Sequence, residues 1–170
     1  MPTLCTIRGR IVDLRRYTNV HLYWHRPPGP TDRYELWLRQ FDGHERKFTI
    51  HTRMMPARLG HRVSVIANLD TGLPQVWGLF NGETGDAANY LRSDPPAMLH
   101  VVDLIALATA FVAMAEWFGD TGMVLFVPEA LAYLLIAVFG RAIKLALRAK
   151  QVDCMIAQEQ VRAGKRDNLQ

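Results

Sequence analysis

The chain is poor in the residues that build covalent frameworks and most catalytic centres. Cysteine occurs twice in 170 residues, at Cys5 and Cys154. The two are far apart and form no CxxC pair, which argues against a disulfide scaffold and a cysteine-rich metal site. Such usage fits a reducing cytoplasm. No Asn-x-Ser/Thr acceptor, G-x-S-x-G elbow, Walker loop or G-x-G-x-x-G fingerprint is present, and no internal repeat. Residues 1–12 are broken by Arg8, Gly9 and Arg10, so no signal peptide is expected there. His21 and His25 stand four apart, as a helical metal pair would. Pro27 argues against a helix, and the glutamate of a zincin is missing. No catalytic residue, cofactor site or metal site is expected, and the chain reads as non-enzymatic.

The most telling absence is regional. Residues 97–140 hold no lysine or arginine and only four acids: Asp103, Glu116, Asp120 and Glu129. Residues 1–96 carry 13 basic and 9 acidic side chains, and residues 141–170 carry 7 and 3. The chain is basic, then free of cations, then basic again.

Two apolar runs fill the cation-free stretch. The first, 97–118, follows Pro95 and Pro96 and would measure ~33 Å as a helix. The second, 123–140, follows the break Gly119-Asp120-Thr121-Gly122 and is nearer ~27 Å. A bilayer's hydrocarbon core is about 30 Å thick. Leu, Ile, Phe and Val each favour insertion by about 0.3–0.6 kcal/mol, and a central Asp opposes it by roughly 2.5–3.5 kcal/mol. Of the three acids inside the runs, Asp103 and Glu129 lie in early turns and Glu116 at the far end of the first run near water, positions where that cost falls. Two helices apolar on every face could instead be the core of a soluble protein. Too few other residues remain to wrap them, so a two-helix transmembrane hairpin is expected. The flanking cations place both termini in the cytoplasm and the turn outside, making a multi-pass protein of the cell inner membrane. Trp117 and Tyr133 are candidate interfacial anchors.

In an antiparallel hairpin turning near residue 120, Asp103 comes opposite residues 139–141, so a structural ion pair with Arg141 is expected. Glu129 comes opposite Val112 and finds no cation. An intramembrane acid raises the question of a proton or ion path. The plainer alternative is a carboxylate favoured by the helix N-terminus after Pro128. Alanines recur on both runs, among them Ala106, Ala110, Ala130 and Ala137, and small residues let helices approach closely in lipid. Membrane lipid and either a homo-oligomer or a membrane-protein partner are therefore expected.

The N-terminal residues 1–92 read as a β-rich domain. Strands are expected at 6–16, 33–41, 46–51, 61–69 and 74–80, with Asp42-Gly43-His44 turning a hairpin. In the fourth, Val63, Val65 and Ala67 alternate with polar residues, and Ile66 breaks the pattern. Five short strands suggest a small OB-like or SH3-like barrel. Trp37 and Arg39 on one strand face, with Trp24 and Arg26 nearby, are candidate surface-binding residues. Aromatics beside cations can hold a single nucleic-acid strand. Interleaved acids such as Glu35, Asp42 and Glu45 make nucleic acid the lesser alternative.

Residues 141–170 form a basic segment with an imperfect apolar stripe, Ile143, Leu147, Val152, Met155 and Ile156. Such a helix can lie on anionic lipid or pack on the β-domain. The expected protein is thus an α+β membrane protein: a barrel-like domain, a transmembrane hairpin and a cytoplasmic amphipathic helix. Its expected role is to bind or organise a protein partner at the membrane face. A pore or transport subunit and a membrane-tethered nucleic-acid module are the alternatives.

Overall fold

The computed structural model describes residues 4–18, 32–70 and 74–167. It is an α+β protein with an open antiparallel sheet of six strands followed by two long apolar helices. The strands are β1 (Leu4–Tyr17), β2 (Arg33–Gln40), β3 (Glu45–His51), β4 (Arg62–Asn68), β5 (Gln75–Asn81) and β6 (Ala87–Asn89). Their order across the sheet is β3-β2-β1-β4-β5-β6.

The long strand β1 organises the sheet. Its first half pairs with β4, from Leu4 opposite Asn68 to Arg10 opposite Arg62. Its second half pairs with β2, up to Tyr17 opposite Arg33. The register with β2 shifts between Ile11 and Asp13, and a bulge there bends the strand. The sheet curls until β3 and β5 approach each other over a core that includes Ile11, Leu36, Leu38, Phe48, Val65 and Leu79. It does not close. The outer strands β3 and β6 share no ladder, so the expected barrel is not formed as a closed one. Closure would require that pairing, and β6 has only three residues with which to make it.

The chain divides into two compact units, residues 1–96 with 148–170, and residues 97–147. In the first unit the C-terminal segment lies on the sheet face opposite the main core. Ile66, Trp77, Val152 and Ile156 form a second apolar cluster there. This explains Ile66: β4 is buried on both faces, so strict alternation fails. Ile66 lies opposite Gly78, and Ala67 opposite Val76, so Trp77 is the extra residue of a second bulge. A Cβ added to Gly78 would fall 2.7 Å from Val152 Cγ1, so glycine is what lets the helix sit this close.

Helical assignment runs from Val101 to Asp167 but is broken at Gly119, whose φ of 56° and ψ of −136° are not helical. The two helices are called α2 (101–118) and α3 (120–167); α1 is the short turn Tyr90–Ser93. In the second unit α2 and the first part of α3 pack as a hairpin. Phe111 and Phe126 meet edge to face at 5.1 Å between ring centroids.

Candidate functional site

Three groups of polar side chains stand out, one in the hairpin and two on the β-domain. In the hairpin, Asp103 is 1% exposed. Arg141 grips it with a fork: Nη1 donates to Oδ2 at 2.5 Å and Nη2 to Oδ1 at 2.7 Å. Tyr133 donates its hydroxyl to Oδ1 at 3.0 Å. Asp103 also reaches back to accept from the His100 backbone N–H at 2.8 Å, in the manner of a capping box. Arg141 Nη1 donates further to the Met98 carbonyl at 2.7 Å. Every Asp103 oxygen is thus bonded twice, and the charge is matched by a planar bidentate donor. The cluster ties the start of α2 to α3 across 38 positions of sequence.

Glu129 is placed apart from that cluster. It is exposed and makes no hydrogen bond or ion pair among the described residues. With Ala106, Ala110, Met114, Phe126 and Tyr133 it lines a shallow groove of about 270 Å³ on the hairpin.

On the β-domain, Trp37 and Arg39 share the face of β2 that points away from the core, since Tyr34, Leu36 and Leu38 point in. Their charges are already spent. Arg39 bonds Glu45 at 2.8 Å, and Lys47 lies over the Trp37 ring at 5.7 Å while also pairing with Glu35 at 2.8 Å. The Lys47 hydrogen bond holds the Glu35 carboxyl below its ordinary range. Trp24 and Arg26 lie outside the described residues.

The third group was not anticipated. Glu159 of α3 is 5% exposed and sits over β1 and β4. Arg8 donates to both its oxygens at 2.6 Å, Ser64 Oγ donates at 2.8 Å, and Arg162 donates at 2.8 Å. Farther along the same helix, Asp153 accepts from Asn89 and Arg92, each at 2.6 Å. Asn89 Nδ2 also donates to the Ala149 carbonyl at 2.9 Å. Beside Glu159 a groove of about 510 Å³ opens, lined among others by Arg8, Arg62, Arg162, Lys165 and Phe41. No local pattern announces it, because Arg8 and Glu159 are 151 positions apart. Among the described residues no three His, Cys, Asp or Glu side chains come together to hold a metal. The chain matches no protein-family model, no curated protein and no solved structure.

Proposed function

We propose that the protein is anchored in the cell inner membrane by the hairpin, with both termini in the cytoplasm, and that the β-domain binds a protein partner at the membrane face. One observation carries the anchor. Val101–Gly122 and Val124–Lys165 are long and apolar enough to span a bilayer, yet only 6% and 0% of their most apolar windows are buried within the chain. The core helix of a soluble protein hides such a surface. Here Val102, Val124, Ile136 and Phe139 are each more than half exposed. Water solvates that surface poorly, and lipid does not penalise it. The single buried charge of the hairpin carries its own counter-ion, which supports the same reading. The short break at Gly119 has no cation, and cations return at Arg141 and Lys144, as a cytoplasmic second end requires. The test is fractionation of cells followed by alkaline carbonate extraction. The protein should stay with the membrane pellet; release into the supernatant would remove the anchor.

A second reading, a pore or transport subunit, is favoured by one residue. Glu129 is an uncompensated acid on a groove within the apolar stretch. The reading requires proton or ion leak through vesicles holding the protein to fall on Glu129→Gln. Asp103, held by Arg141, is not free to serve it.

A further inference from the structure

We infer that the groove beside Glu159 is a binding site for a phosphoryl group carried on an organic moiety. The argument starts from charge. Four basic side chains, Arg8, Arg62, Arg162 and Lys165, line the groove against one carboxylate, Glu159. That carboxylate is consumed: it accepts from Arg8, Arg162 and Ser64 and is buried beneath them. It therefore orients cations without neutralising the groove, and an excess of positive charge remains. Arg8 spends Nε and Nη2 on Glu159, and Arg162 spends Nη1. A guanidinium has five N–H donors, so each keeps donors to offer. Arg62 and Lys165 form no side-chain hydrogen bond or ion pair among the described residues. Fixed guanidiniums beside free cations suit a doubly charged oxyanion.

The groove is not only basic. Phe41 belongs to its lining and is 70% exposed, so its ring is open to the apolar or planar part of a ligand. Val63 and Phe80 lie beneath, buried. A volume of about 510 Å³ is in the range of sites for small organic ligands. Phosphate among the cations and a carbon moiety on Phe41 would use both halves. The phosphate could belong to a free nucleotide or to the phosphomonoester headgroup of a lipid such as phosphatidic acid; the chemistry recognised, a terminal phosphate of up to two charges, is the same.

The test uses the full chain in nanodiscs of neutral phosphatidylcholine at low salt. Radiolabelled ATP and pyrophosphate are titrated by equilibrium dialysis, and short-chain phosphatidic acid, a phosphomonoester lipid, is tested as a competitor. Binding with Kd below about 1 mM is expected for at least one probe. The Arg62→Gln/Lys165→Gln variant, which removes no internal bond, should weaken it about tenfold or more. Phe41→Ala should weaken ATP or the lipid and leave pyrophosphate unchanged. Glu159→Gln should tighten binding if the variant folds, because two guanidiniums are released. If ATP binds and the lipid does not compete, the source is a free organic phosphate. If the lipid binds more tightly than ATP, the source is a headgroup. No binding of any probe, or binding indifferent to Arg62→Gln/Lys165→Gln, overturns the proposal. Equal loss of pyrophosphate and ATP on Phe41→Ala overturns the role of the organic moiety.

Discussion

Arg141 is the residue on which the hairpin's alignment turns. It answers Asp103 with two nearly parallel hydrogen bonds and holds the Met98 carbonyl with a third. Lysine would keep the charge and lose the fork. Arg141→Lys should therefore lower the thermal midpoint of the detergent-solubilised protein, and Arg141→Gln should lower it further, since Asp103 is then left unanswered. The double variant Asp103→Asn/Arg141→Gln should recover part of the loss, and a midpoint no higher than that of Arg141→Gln alone would contradict the pairing. Tyr90 offers a pH test at the same scale. Its burial pushes the phenol well above the ordinary tyrosine value, with Asp94 and Tyr34 adding to the effect. A raised folded-state value means stability that is whole below the unfolded pKa, near 10, and lost as pH climbs toward the folded one. Ultraviolet titration should show late tyrosine ionisation that accompanies unfolding, and Tyr90→Phe should reduce its amplitude by one tyrosine. At this scale the sequence was legible only where geometry was simple. An antiparallel turn near residue 120 suffices to bring Asp103 to Arg141. Nothing local brings Arg8 to Glu159.

At the scale of elements, the strands were legible where side chains alternate. The expected segments at 6–16, 33–41, 46–51, 61–69 and 74–80 fall on β1 to β5. The sixth strand, Ala87–Asn89, lies beyond the five expected segments. Two alanines and an asparagine have little strand preference, and pairing with β5 from Gly78 to Phe80 is what makes the strand. The tail was ambiguous for another reason: a basic apolar stripe suits lipid and protein equally, and only the shape of the opposing surface decides. That surface is Ile66, Trp77 and the bare backbone of Gly78. Gly78→Val should thus overpack the contact and destabilise it by about 1–3 kcal/mol. Ile156→Ala should leave a cavity and cost about 2–5 kcal/mol. Trp77 fluorescence during urea unfolding of the detergent-solubilised chain reads both, and wild-type transitions in both would refute the packing.

At the scale of the whole molecule, the proposed topology can be read chemically. Cys154 is exposed and belongs to the end proposed to face the cytoplasm. A membrane-impermeant maleimide added to intact cells permeable only at the outer membrane should leave Cys154 unlabelled and should label an Asp120→Cys variant. After lysis Cys154 should react. Labelling of Cys154 before lysis would invert the orientation. The two long apolar helices were legible from composition alone, whereas the expectation of a closed barrel overreached. Strand count does not determine closure; that depends on whether the outermost strands can meet, and here the last strand is three residues long.

The clasp between Arg8 and Glu159 also has a consequence in time. A ribosome finishes β1 first and the Glu159 region only after the whole hairpin has been made. Throughout that interval the back of the sheet, with Ile66 and Trp77, has no cover of its own. Nascent chains halted near residue 147 should therefore be captured by chaperones or clump together, and chains long enough to deliver residue 159 should escape.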